Sequence, residues 1–214
     1  MSTLLVSEIF HSIQGESTQM GRPCVFVRLA GCDLACSWCD TPYARAGGTE
    51  FEIDRVLDEV LAYDCDLVEI TGGEPLLQEA IHALAGLLLD RGKTVMIETG
   101  GHRDITALDP RIRRVVDVKT PSSGESAKVR VENFADLRPQ DEVKFVICDR
   151  ADFEWALARV AEHRLERRCP VLFAPVAGEL AAADLARWIL EARAPVRLQI
   201  QLHKILWPDA DRGV

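Results

Sequence analysis

Short apolar runs alternate with amphipathic segments along most of the chain. Cys24–Leu29 (CVFVRL) predicts a β-strand, because apolar, β-branched and aromatic residues crowd into a run too short for a helix. The same reading holds for Leu67–Thr71, Thr94–Glu98, Arg114–Val118, Glu142–Ile147, Val171–Ala174 and Arg197–Gln201. Asp54–Tyr63 (DRVLDEVLAY) spaces its apolar positions as a helix does, with Asp54 placed to cap it. Leu76–Asp90 predicts a helix closed by Gly92 after Arg91, and Asp152–Arg164 and Leu180–Ala192 predict two more.

Strands that alternate with helices imply a mainly parallel sheet. The chain offers about seven strands but fewer clear helices, and its 214 residues fall short of the roughly 250 of a complete eight-fold barrel. The expected fold is therefore α/β, an incomplete, open (β/α) barrel forming a single domain over residues 1–214, with a doubly wound open sheet as the alternative. The Ser/Gly/Pro-rich stretch Lys119–Lys128 (KTPSSGESAK) is the most loop-like segment. It follows a strand, which places it on the rim where such sheets bind ligands.

Composition narrows the class. Hydrophobic residues make up 48% of the chain, enough for a sizeable core. The longest apolar run, Ala83–Leu89, is far too short to cross a bilayer. The opening MSTLLVSEIF has no basic region and no small-residue cleavage site, so the expectation is a cytoplasmic protein with no membrane partner. A net charge of −9 argues against a large nucleic-acid-binding face but leaves room for a small anionic ligand. Seven cysteines, an odd number without an export signal, do not read as a disulfide framework. Cys24, Cys65, Cys148 and Cys169 lie in or beside apolar runs and are expected to be small buried hydrophobes.

The other three cluster. Cys32, Cys36 and Cys39 have the spacing C-x3-C-x2-C directly after a strand. Three thiolates this close can surround one soft-metal centre. A [4Fe-4S] cluster ordinarily takes four cysteines, so a three-cysteine set leaves one iron open to a small molecule. A zinc knuckle completed by a distant residue is the competing reading, although no second short Cys or His element exists to pair with this one. Downstream, Thr71-Gly72-Gly73-Glu74-Pro75 ends a strand. Paired glycines let a backbone approach a ligand closely, and a carboxylate there can accept from an ammonium group. Without context the same residues make an ordinary strand-to-helix turn. Glu98 ends the next strand, where it either meets a ligand or caps the following turn.

The cysteine spacing and the Gly72-Gly73-Glu74 segment resemble the radical S-adenosylmethionine (SAM) superfamily. The resemblance implies a [4Fe-4S] cluster on Cys32, Cys36 and Cys39, with SAM chelated by the open iron and reductively split to a 5′-deoxyadenosyl radical. It places SAM near Trp38, Cys39, Asp40, Gly72, Gly73, Glu74, Glu98, Asp117, Val118 and Lys119. A further resemblance narrows the family. Gln14-Gly15-Glu16, Phe26 to Cys32, Cys39-Asp40-Thr41, Ile97-Glu98-Thr99, Lys119 with Pro121 to Ser123, and Gln199 to Lys204 are similar to 7-carboxy-7-deazaguanine synthases. These anchors span nearly the whole chain.

That family implies conversion of 6-carboxy-5,6,7,8-tetrahydropterin to 7-carboxy-7-deazaguanine, with Mg2+ assisting, in the biosynthesis of queuosine-type 7-deazapurines. It implies substrate contacts from Ile13, Gln14, Gly15, Glu16, Arg28, Thr71 and His203, the last from the final strand, and Thr41 as a Mg2+ ligand. A reductase or flavodoxin-type electron donor and a homodimer are also implied. The chain departs from the family where Asp117-Val118-Lys119 replaces a common Ser-Pro-Lys and where Ala174-Pro175 replaces Gln-Pro. A glycyl-radical-activating enzyme and a non-catalytic zinc or iron-sulfur module are the alternatives.

Overall fold

The computed structural model describes residues 2–214. One nine-stranded sheet runs in the order β3-β1-β2-β4-β5-β6-β7-β8-β9. Its strands are β1 (Thr3–Ile13), β2 (Pro23–Leu29), β3 (Thr49–Glu52), β4 (Leu67–Gly72), β5 (Thr94–Thr99), β6 (Arg113–Asp117), β7 (Glu142–Ile147), β8 (Val171–Pro175) and β9 (Arg197–Leu198). From β2 through β9, all strands except β3 run parallel to one another. β1 is antiparallel to both β2 and β3. The first and last strands in this order do not pair, so the sheet is open, as the incomplete barrel requires.

The alternation of side chains along each strand sorts the chemistry. Val25, Val27, Leu29, Val68, Ile70, Val95, Ile97, Val116, Val143, Phe145 and Ile147 belong to the main core. That core packs against α1 (Ile53–Leu61), α2 (Ile81–Asp90), α3 (Arg150–His163) and α4 (Ala182–Ala192). α1 shows why these segments are helical: Ile53, Val56, Leu57 and Val60 fall on one face and are all buried. Each such side chain removed from water contributes about 1.5–3 kcal/mol. On the opposite sheet face, Phe10, Cys24, Phe26, Leu67, Met96 and Val115 form a second apolar cluster. Beyond it, toward the C-terminal ends of the strands, the inward positions become polar: Arg28, Thr71, Glu98, Asp117 and Lys144.

The structure refines several expectations. β1 and β3 carry no clear signal in the sequence pattern and complete one edge of the sheet. The segment Leu76–Asp90 splits into a 3-10 turn, Pro75–Leu77, and α2, and Asp54 sits in the first turn of α1 behind its N-cap Glu52. Arg197–Gln201 is a strand only over Arg197–Leu198, so His203 lies on α5 (Leu202–Leu206) rather than on the last strand. Helices are fewer than strands because residues 100–112 and 118–141 cross over without an α-helix, filling the core through Ile105, Leu108, Ile112, Phe134 and Leu137 instead. Among the described residues, no helix is long and apolar enough to cross a membrane. Cys24, Cys65 and Cys169 are buried as expected, whereas Cys148 is only half-buried.

Candidate active site

The polar ends of the inward strand faces open into a cleft of about 630 Å³. Cys32, Cys36 and Cys39 line it from the loop after β2. Two segments hold that loop. Gly73 N–H donates to Leu29 O, and Glu74 N–H donates to Gly31 O. A Cβ on Gly73 would lie 2.1 Å from Gly31 O and 2.9 Å from Cys32 Cβ, and one on Gly72, at φ +140°, would lie 2.2 Å from Leu29 O. The paired glycines therefore serve the approach of β4 to the cysteine loop, which the motif alone did not reveal. From the other side, the Lys119–Lys128 loop docks on the cysteines. Ser37 N–H donates to Ser123 O at 3.1 Å, Ala35 N–H to Glu125 Oε1 at 2.9 Å, and Trp38 Nε1–H to Ser122 Oγ at 3.2 Å.

Asp152 anchors the docking loop in turn. Its buried carboxylate accepts from Thr120 Oγ1, Ser122 N, Ser122 Oγ and Cys148 N.

Glu74 and Val118 stand apart from the other expected residues. Neither lines the cleft. Glu74 is 1% exposed, and its carboxylate already accepts from Leu76 N, Thr99 Oγ1 and Gly100 N, leaving little capacity for a ligand ammonium. Val118 is fully buried, and its N–H donates to Lys144 O. Ala174 is also buried away from the cleft, where Val176, Ala177 and Glu179 supply the wall.

The other expected residues line one cleft: Ile13, Gln14, Gly15, Glu16, Arg28, Trp38, Asp40, Thr41, Thr71, Glu98, Asp117, Lys119 and His203. Gln14 is spent internally, its Nε2 donating to Glu69 and its Oε1 accepting from Glu16 N, so its side chain shapes the loop. Gly15 is required by contact, since a Cβ there would lie 2.2 Å from His203 Nδ1. Leu202 N–H donates to Gly15 O and fixes the start of α5. Burial lowers the His203 pKa against the pull of Glu16 and Asp40, which keeps the imidazole neutral near pH 7. Thr41 precedes a 3-10 turn, and its hydroxyl makes no capping hydrogen bond.

Lys144, unmarked by any motif, occupies the centre. It is 4% exposed and pairs with Glu16 at 2.7 Å, with Glu98, and with Asp117 at 3.6 Å. Burial alone would lower its pKa, but these carboxylates outweigh it and hold the amine protonated. Burial likewise works to raise Glu16, yet Lys144 leaves it net lowered and ionised. Glu98 goes the other way, raised chiefly by burial despite Lys144. It points into the cleft, while Thr99 Oγ1 receives the turn amide Gly101 N–H. Glu69, beneath Thr71 on the same strand face, is pushed up to about 8 by burial and then by Glu98. Asp117 pairs with Lys119 at 2.7 Å, but its buried Oδ1 has no protein partner. The Lys119 ammonium sits 5.6 Å from the Trp38 ring centroid.

This donor chemistry fits a [4Fe-4S] cluster and SAM. Three thiols face the cleft on a doubly braced loop, and the unpaired Asp117 oxygen awaits a donor beside them. Glu16, Asp40 and His203 place one ligand atom each within 4.8 Å of one another, next to Thr41. Oxygen-rich donors of this kind suit Mg2+ better than a soft metal.

Residues 27–162 match the family model described as the radical SAM superfamily. The chain belongs to that superfamily, whose members carry a [4Fe-4S] cluster and SAM. Among curated relatives, 7-carboxy-7-deazaguanine synthase of Chlorobaculum tepidum is 47% identical over 99% of this chain and 97% of its own length. The enzyme of the same name from Koribacter versatilis is 42% identical over 98% and 99%. The crystal structure of QueE from Escherichia coli shares the fold, with a TM-score of 0.79 at 23% identity, covering 94% of this chain and 95% of that one. Within the superfamily, the chain belongs to the 7-carboxy-7-deazaguanine synthase family.

Proposed function

We propose that this protein is a single-domain enzyme that converts 6-carboxy-5,6,7,8-tetrahydropterin to 7-carboxy-7-deazaguanine with loss of ammonia, feeding queuosine-type 7-deazapurines. The observation that carries the reading is the joint presence of Arg28, Glu16 and His203 with the three cysteines in one cleft of about 630 Å³. That volume suits a pterin beside SAM.

Cys32, Cys36 and Cys39 would hold the cluster, and Gly72, Gly73, Glu98, Asp117 and Lys119 would hold SAM. When bound, these cofactors supply a carbon-centred radical that takes a hydrogen atom from the substrate. The chain's own residues orient the pterin for that event. Arg28 receives the substrate carboxylate through its two Nη groups. Glu16, kept ionised by Lys144, accepts from the pterin amino and ring N–H groups. Thr71 stands opposite Arg28 in the β2–β4 register and faces the same ligand. His203, neutral and packed on Gly15, accepts or donates at the pterin edge without adding charge. The Thr41 hydroxyl, with Asp40 beside it, supplies hard oxygens for Mg2+.

Electrons reach the cluster from a reductase or flavodoxin-type donor, and free thiols with an oxygen-sensitive cluster suit the reducing cytoplasm. Exposed Leu190, Leu198, Ile205 and Leu206, on the consecutive elements α4, β9 and α5 at the open sheet edge, support a homodimer.

The test is anaerobic. Reconstituted protein is mixed with SAM, reductant, Mg2+ and carboxytetrahydropterin, and the product is sought by mass spectrometry. The reading predicts 7-carboxy-7-deazaguanine, absent with Cys39→Ala. A fully clustered protein that cleaves SAM without making it overturns the reading.

A further inference from the structure

We propose that Glu8 is a positioning residue that aims the Arg28 guanidinium and latches the C-terminal tail over it. The inference rests on the reading of Arg28 as the group that receives the substrate carboxylate.

β1 and β2 pair antiparallel with Glu8 directly opposite Arg28, next to a register shift between Val6 and Glu8. Glu8 Oε1 accepts from Arg28 Nε at 2.8 Å and from the Tyr43 hydroxyl at 2.7 Å. Its other oxygen, Oε2, accepts from the Gly213 backbone N–H at 3.2 Å. One carboxylate thus joins three segments distant in sequence: β2, the 3-10 turn after the cysteine loop, and the tail. Both side chains of the ion pair are mostly buried, at 13% and 16% exposure, which protects the pair from solvent screening.

The pairing geometry decides what Arg28 can do. Glu8 takes only the Nε–H, so among the described residues neither Nη group has an acceptor, and Arg28 lines the cleft. A guanidinium fixed through Nε presents its end-on pair of N–H groups in one plane, the arrangement that binds a carboxylate through two parallel hydrogen bonds. Tyr43 supports this from the side. Its hydroxyl donates to the same Glu8 oxygen that holds Arg28.

The tail is held by the same group. The Arg212 guanidinium lies 4.2 Å from the Tyr43 ring centroid, next to the Gly213 contact. Trp207, Asp211 and Val214 line the cleft beside Arg28 and Tyr43. The carboxylate that fixes the arginine therefore also holds the tail at the rim of the cleft.

The experiment uses reconstituted holoenzyme of wild type, Glu8→Ala, Glu8→Gln and Arg28→Met. It reads KM for carboxytetrahydropterin, the dissociation constant of SAM, and amide hydrogen exchange over residues 207–214. Loss of a charge-assisted hydrogen bond that orients the ligand site predicts a KM rise of about 10- to 100-fold in Glu8→Ala, with SAM affinity unchanged. Glu8→Gln keeps an oxygen for Arg28 and Tyr43 but turns its NH₂ toward Gly213 N–H. It should recover most of the KM yet leave the tail exchanging as fast as in Glu8→Ala. Glu8→Gln also settles the matter should Glu8→Ala not fold. A KM within threefold of wild type in both Glu8 variants, while Arg28→Met raises it tenfold or more, overturns the positioning role alone. Unchanged tail protection in both overturns the latch. An unchanged KM in Arg28→Met overturns the reading of Arg28 beneath it.

Discussion

Lys144→Met is the most informative single change to the cleft. The lysine is 4% exposed and is the shared partner of Glu16, Glu98 and Asp117, which come from the loop after β1, from β5 and from β6. Methionine keeps an unbranched apolar stem, one atom shorter, and removes the ammonium with its charge and its hydrogen bonds to Glu16 and Glu98. Removing one partner of a buried ion pair typically costs about 3–5 kcal/mol, because the remaining charge stays desolvated. Asp117 keeps Lys119, at 2.7 Å, so the uncompensated groups are Glu16 and Glu98. For a chain of this size that cost lowers Tm by about 6–20 °C at neutral pH. The pH dependence identifies the cause. In the wild type the folded pKa of Glu16 lies below its ordinary 4.5, so its contribution is present above that value and is lost as pH falls through the folded value. Without Lys144, burial is opposed mainly by the Gln201 hydrogen bond and raises it, so the penalty accumulates above about 4.5 and is relieved by acid. Thermal melts from pH 5 to 8 should show a gap between wild type and variant that narrows toward pH 5. A loss under about 1 kcal/mol that is flat with pH would refute the assignment of Lys144 as the charge balancing this cluster.

Other perturbations test other links. Gly73→Ala places a Cβ 2.1 Å from Gly31 O, so the variant should fold but bind far less iron after reconstitution, as read by metal analysis and visible absorbance. Gly15→Ala pushes on His203 Nδ1 at 2.2 Å and should raise KM for the pterin while leaving SAM affinity unchanged, measured by steady-state kinetics and calorimetry. Asp152→Ala strands donors from Thr120, Ser122 and Cys148 and should cost about 2–4 kcal/mol in urea unfolding, with loosening of the loop on the cysteines. Glu69 is raised from 4.5 to about 8, so its burial costs stability progressively as pH climbs between those values. Glu69→Gln should therefore gain on the wild type across that window and stop gaining above it, as seen in melts against pH.

The parallel part of the fold was legible because each strand buried on both faces is a short apolar run. β1 was not. A register shift between Val6 and Glu8 breaks its alternation, and its exposed and buried positions follow no clean period. β3 (TEFE) is a short, polar edge strand that pairs only with β1. The cysteine cluster was legible from its spacing, whereas Arg28 and Glu16 were expected only through the family resemblance; all of them line the cleft. Lys144 hides in EVKFVI, a strand whose residues are all buried. A lysine inside such a run has to meet carboxylates, and that is the signal that could have found it. Glu8, Tyr43 and the tail residues meet only in three dimensions, as do Glu74 and the donors Leu76, Thr99 and Gly100 that its carboxylate accepts from.

On the proposed reading, the residues of one cleft join radical chemistry at Cys32, Cys36 and Cys39 to a carboxylated pterin held by Arg28 and Glu16. The most direct measurement counts 7-carboxy-7-deazaguanine formed per SAM consumed, anaerobically and with Mg2+, in wild type and Arg28→Met. Many product molecules are expected for each SAM in the wild type, and SAM cleavage with little product in Arg28→Met. Irreversible consumption of SAM by the wild type with no deazaguanine product would contradict that reading.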